Sequence, residues 1–230
     1  MGETYTVALA LEDFLPTIFS SVGLWFIHQM IGGIDEKLGR VSLIAWLFIT
    51  IGGLTKGIWK LLMAVSDTQI NLVVFDKGLF VWLGTGFLLM VYAYSYSRRV
   101  VENRNPRTHV WRMPIISCGF FFAIALANGF PNPTINRWRF IFLGVLTVSN
   151  IMLLVFLIQH ARRQNLPLVA WLFAFNLIIS LLLSGLARIP DQTIPLQWTE
   201  QLLNTAAQGA FCYGALKLSA EQMPALQLKV

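Results

Sequence analysis

Seven runs of predominantly apolar residues divide this chain, at about 11–31, 41–65, 70–94, 110–130, 138–160, 166–186 and 195–218. A helix crossing the hydrocarbon layer of a bilayer needs roughly 20 such residues. Within that layer every backbone N–H and C=O must be satisfied internally, so a spanning segment is a helix or a strand of a closed barrel. Runs of this length predict helices. Gly32-Gly33, Ser66-Asp67, residues 103–106, residues 131–133, Gln164-Asn165 and Pro190-Asp191 punctuate them. The expectation is an all-α integral membrane protein. It forms one domain over residues 1–230, with seven transmembrane helices packed side by side through short connections.

Composition agrees. Only 12% of the residues are charged, against about 25% in an average soluble domain, and the mean hydropathy is +0.65. These values exclude a soluble enzyme, a disordered tail and a nucleic-acid-binding domain. The net charge of +6 is explained by where the basic residues stand. Lys37, Arg40, Arg98, Arg99, Arg104, Arg107, Arg112, Arg162, Arg163, Lys217 and Lys229 fall on one side of the predicted spans, and only Arg137, Arg139 and Arg188 on the other. The positive-inside rule then expects the N-terminus outside and the C-terminus in the cytosol, in a plasma or bacterial inner membrane. Residues 1–11 hold no Lys or Arg, so no cleaved signal peptide is expected there. Cys118 and Cys212 stand in apolar runs without metal-ligand spacing. His28, His109 and His160 all fall at cytosolic span ends and are expected to cap the interface. No metal or cofactor is expected, and the bilayer itself is the expected partner.

The chain also repeats itself weakly. Residues 42–48 (SLIAWLF) open the second run, and residues 167–173 (PLVAWLF) open the sixth. Ile70, Leu72, Asp76 and Phe87 match Ile194, Leu196, Glu200 and Phe211 at one constant offset. Residues 11–96 and 138–218 are therefore expected to be parallel repeat units, with residues 110–130 as a linker helix. Parallel repeats about an axis along the membrane normal occur in transporters. This 3+1+3 layout resembles that of the SWEET-type sugar transporters. The resemblance is architectural: the Pro-Gln pair that marks that group is absent, and no functional residue carries over. A retinal pigment is not expected, because the middle of the last run reads Ala206-Ala207-Gln208-Gly209 and holds no lysine.

Charged side chains inside spans are costly and mark sites or partners. On the expected topology Glu12, Asp13, Lys56, Lys60, Asp76, Lys77 and Glu200 all fall in the outer half. Lys56 and Lys60 stand four apart and share one helix face, and Gly53 and Gly57 would admit a neighbouring helix closely. Lys60 and Lys77 are expected to snorkel to the headgroups. Asp76 is expected to partner a lysine of the second run. Glu12 and Asp13, just before Pro16, are expected to be helix-start acids. Gln197, Glu200, Gln201, Asn204 and Gln208 recur at three- and four-residue steps. They form a polar stripe that must face other helices or a wet cavity, because amides in hydrocarbon need partners. Asn176, Ser180 and Ser184, and Thr147, Ser149 and Asn150, make weaker polar sets.

The candidate binding residues are therefore Lys56, Asp76, Glu200, Asn204, Gln208, Gln197 and Gln201. The expected function is a carrier or binder of a small polar or anionic solute, using a polar pocket in the outer half. One alternative is a membrane-embedded enzyme acting on a lipid or headgroup, with Asp76 and Glu200 as acid and base. Another is a non-catalytic partner subunit.

Overall fold

The computed structural model describes residues 6–66, 72–102, 109–132, 134–187, 189 and 193–227; for residues 73, 74, 76 and 222–227 the description is of the backbone alone. The described residues form eight helical segments and no strand. They are α1 (Val7–Glu12), α2 (Phe14–Ile34), α3 (Glu36–Val65), α4 (Val73–Val101), α5 (Arg112–Ala127), α6 (Arg137–Arg163), α7 (Pro167–Leu186) and α8 (Ile194–Gln227).

Local chemistry sets the boundaries. The Thr6 hydroxyl accepts from the Leu9 amide and starts α1. Pro16 stands in the first turn of α2, where an amide has no helical partner to lose, and the chain breaks at Asp13 just before it. Between α2 and α3 only Asp35 intervenes; it is extended, and its carboxylate accepts from the Leu38 amide at 2.9 Å. A hairpin this tight needs Gly39, where a Cβ would lie 2.9 Å from the Gly32 Cα. At the far end of α5, the Asn128 side chain donates to the Ile124 carbonyl and Gly129 takes φ +88°, a left-handed stop. That stop makes α5 shorter than the apolar run around it.

Five helical stretches are long and apolar enough to cross a membrane: Val7–Ile34, Glu36–Val65, Lys77–Val101, Arg137–Arg163 and Pro167–Leu186. Two of the seven expected runs form helices of another kind. The 16 residues of α5 reach about 24 Å at 1.5 Å per residue. The 34 residues of α8 have the length but carry the polar stripe, which lowers their hydropathy. Large apolar side chains point outward all round the bundle, Ile115, Phe120, Trp171 and Ile178 among them. A surface of that kind suits lipid rather than water.

Six helices close a ring among the described residues. In order, α2 packs on α3, α3 on α4, α4 on α6, α6 on α7, α7 on α8, and α8 back on α2. Of the two remaining segments, α1 packs against α2, α3 and α8, and α5 lies outside the ring against α4 and α6. Close approach is built in by missing side chains. A Cβ on Gly86 would meet the Ala45 carbonyl oxygen and the Ile49 amide nitrogen, both at 3.0 Å, where α4 crosses α3. One on Gly84 would meet the Phe142 carbonyl oxygen at 2.8 Å, where α4 crosses α6.

The apolar core fills one end of this ring. It comprises the last turns of α2, α4 and α6, the first turns of α3 and α7, and the α8 residues Phe211, Ala215 and Leu218. Ile27, Ile31, Leu38, Ala45, Met90, Leu154, Leu157 and Phe173 are fully enclosed there. Within this core the Tyr94 hydroxyl meets His160 Nδ1, linking α4 to α6. His28 Nδ1 meets the Ser42 hydroxyl at 2.9 Å, linking α2 to α3.

Candidate functional site

The opposite end of the ring is polar. Its centre is Asp13, at the junction of α1 and α2, whose side chain is buried. Lys60 Nζ lies 3.3 Å and Lys56 Nζ 3.7 Å from Asp13 Oδ1. Spacing of four along α3 puts both ammonium groups on the face that meets α1 and α2. From α8, Gln201 Nε2 donates to the same Asp13 oxygen, and one turn later Thr205 donates its hydroxyl to Glu12 Oε1. Two pairs of residues four apart thus stitch α3 and α8 to the α1–α2 junction. Gly53 and Gly57 allow this closeness: a Cβ on either would meet Thr17 or the Phe14 ring at 2.7 and 3.0 Å.

The two lysines are formally balanced by Asp13 and the adjacent Glu12. Their surroundings differ. The Lys60 side chain is 12% exposed and held in the cluster, whereas that of Lys56 is 41% exposed and lines a cavity of about 300 Å³ inside the ring. Cavities of this size hold small molecules. All six ring helices contribute to its wall. From α2 come Thr17 and Ser20, from α6 Thr147 and Asn150, from α7 Asn176, Ser180 and Ser184, and from α8 Asn204 and Gln208. Leu24, Ile49, Phe87 and Phe211 close it toward the apolar core.

Several of these polar groups are already committed. Asn176 donates to the Ala207 carbonyl at 2.8 Å. Ser20, Thr147 and Ser184 donate their hydroxyls to carbonyls of their own helices, the usual arrangement for Ser and Thr inside a helix. The amides of Asn150, Asn204 and Gln208 take part in no hydrogen bond among the described residues. With Lys56 and the hydroxyls of Thr17 and Ser180 they are what the wall offers a ligand: one cation, two hydroxyls and three amides, the last two kinds able both to donate and to accept. No described Asp or Glu lines the cavity. Nor do three His, Cys, Asp or Glu side chains converge to hold a metal ion among the described residues.

The candidate residues are thus distributed as follows. Lys56, Asn204 and Gln208 line the cavity. Gln201 is bonded to Asp13, and Gln197 is buried one turn before it. Glu200 is half-buried beside them, with its Oε1 enclosed and accepting no hydrogen bond from the described residues. The side chain of Asp76 lies outside the described residues. The lysines of α3 pair with Asp13, a residue that the sequence expected only to start a helix. The signal was present, since Glu12 and Asp13 interrupt an otherwise uncharged stretch from Val7 to His28. Pro16 made the helix-start reading the simpler one. Asn150 belonged to a set that resembled ordinary helix-packing residues, and only the ring turns it inward. No family model, curated protein or solved structure matches this chain.

Proposed function

We propose that this chain is a seven-helix membrane protein that binds a small polar or anionic solute in the ring cavity. The observation that carries this reading is Lys56, facing about 300 Å³ together with the uncommitted amides of Asn150, Asn204 and Gln208. A lysine and free amides lining a cavity inside an apolar bundle are expensive unless something polar occupies the space. One ammonium with amide donors suits a carboxylate or another singly charged group. The acid–base alternative draws no support from a wall in which no described carboxylate appears.

As a carrier, the protein would have to open the apolar end. The order of helices around the ring fits that use. Rotating it by three helices maps α2, α3 and α4 onto α6, α7 and α8, and the two junctions α4–α6 and α8–α2 onto each other. A parallel 3+1+3 duplication requires this arrangement, and its two halves can rock about the two junctions. The excess of loop arginines at the apolar end supports an orientation with that end in the cytosol and the cavity end outside.

Binding of butyrate, glutamate, phosphate and an uncharged sugar to the purified protein tests the reading. The expected outcome is that at least one anion binds and that Lys56→Ala weakens it at least tenfold, with Lys56→Arg between the two. Equal binding by the wild type and Lys56→Ala would remove the site. Orientation is checked separately by labelling single cysteines at Asn132 and Gln164 in intact cells, with Cys118 and Cys212 replaced. Only the first is expected to react with an impermeant reagent.

A further inference from the structure

The cavity is not closed equally on all sides. Four of its wall residues are exposed, namely Leu143 and Thr147 on α6 and Leu181 and Ser184 on α7. Those supplied by α2, α3, α4 and α8 are buried or half-buried. The first half of α7 is anchored by Val169, Ala170, Phe173, Asn176 and Ile179, whereas none of its last six residues, Leu181 to Leu186, is buried. Among them, a Cβ placed on Gly185 would meet nothing within 4 Å. At this level the cavity wall is exposed on both α6 and α7, and the cavity opens between them.

The depth of that opening decides what can use it. Leu143 and Thr147 lie about 9 and 15 Å along α6 from its start, and Leu181 lies about 8 Å before the end of α7, at 1.5 Å per residue. These depths fall within the hydrocarbon of a bilayer about 30 Å thick. The gap is chemically suited to that setting. Leu143, Leu146 and Leu181 flank it, and the hydroxyls of Thr147 and Ser184 are spent on the Leu143 and Ser180 carbonyls. A polar chamber holding one lysine therefore communicates with lipid through a slot of low polarity.

We propose that the ligand is a single-chain amphiphile with a monoanionic, carboxylate-type headgroup. It enters from the bilayer between α6 and α7, seats its headgroup at Lys56 and leaves its chain in the slot. This rests on the solute-binding reading above and names the ligand class for that same cavity.

The test uses the full chain in phosphatidylcholine nanodiscs, with radiolabelled laurate and butyrate as the long- and short-chain forms of one headgroup. Three variants are compared. Lys56→Ala removes the cation. Gly185→Trp places a bulky ring one turn beyond Leu181 on the same face of α7. Gly119→Trp, on α5 outside the ring and likewise with nothing within 4 Å of a Cβ, controls for a large side chain facing lipid. The expected result is that laurate binds at least tenfold more tightly than butyrate and that Lys56→Ala weakens both. Gly185→Trp weakens laurate at least tenfold while butyrate stays within twofold, and Gly119→Trp changes neither. Butyrate binding equal to laurate, or laurate binding untouched by Gly185→Trp, overturns the amphiphile and leaves the solute site standing. Loss of both ligands in Gly185→Trp overturns the slot as the chain's path. No binding of either by the wild type overturns the amphiphile alone, whereas failure of Lys56→Ala to weaken a ligand that does bind overturns both readings together.

Discussion

The two ends of the ring are held by different physics. At one end, α2, α3, α4, α6, α7 and α8 meet through side chains such as Ile31, Leu38, Met90, Leu157 and Phe173, all enclosed and nearly all apolar. At the other, α1, α2, α3 and α8 meet through Asp13, Lys60, Gln201 and the Glu12–Thr205 bond, beside a cavity rather than a filled core. Packing of the first kind is non-directional and close to maximal density. Contacts of the second kind are directional and fail sharply, because a charge left alone in low dielectric is costly. The end that can change its contents is therefore the polar one, and there the structure holds space.

Perturbing each end in turn tests that contrast. The largest effect is expected from Asp13→Ala, which leaves two ammonium groups facing each other without the carboxylate between them. Removing one partner of a buried ionic cluster costs about 3–5 kcal/mol, to be read as a lowered thermal midpoint in detergent. A loss under 1 kcal/mol would mean that the cluster is hydrated and the two ends are alike. At the apolar end, Phe173→Ala is expected to cost about 3 kcal/mol by opening a cavity. Binding at Lys56 should survive it, because Phe173 is not part of the cavity wall; a parallel loss of binding would show the ends to be coupled. Gly86→Ala comes next, at roughly 1–3 kcal/mol of overpacking, since the new methyl would press on the Ala45 carbonyl and the Ile49 amide of α3. Chemical unfolding resolves a change of that size. The smallest is Tyr94→Phe, which deletes the hydroxyl that meets His160 inside the apolar end. About 1 kcal/mol is expected for one hydrogen bond, and a value near that of Asp13→Ala would show the apolar end to depend on a polar contact after all.

Much of the helix pattern was legible because apolar run length is a local property. Residues 138–160 fall inside α6, and residues 166–186 match α7 to within one residue. The departures have local causes too. Asn128 and Gly129 stop α5 early, and α8 continues past residue 218. The candidate site was legible in part. A lone lysine deep in an apolar run and a stripe of amides at helical spacing both announce a polar interior, and Lys56, Asn204 and Gln208 share one cavity. Asp13 was harder to read, since an acid ahead of a proline looks the same whether it caps a helix or sits beneath two lysines from elsewhere in the chain.

Sequence alone determined that this chain makes long apolar helices, where most of them begin and end, and which residues lipid would not accept. These follow from transfer free energies and backbone hydrogen bonding, which depend on a residue and its near neighbours. The tertiary structure decided which of those residues meet. It joined Lys56 and Lys60 to Asp13, set Asn150 in the same cavity wall as Lys56, and left that wall exposed at Leu181. Helical periodicity gives each residue a face but not the partner of that face. Which helix stands opposite depends on how all six pack at once, with glycines such as Gly53 and Gly86 setting how near two of them come.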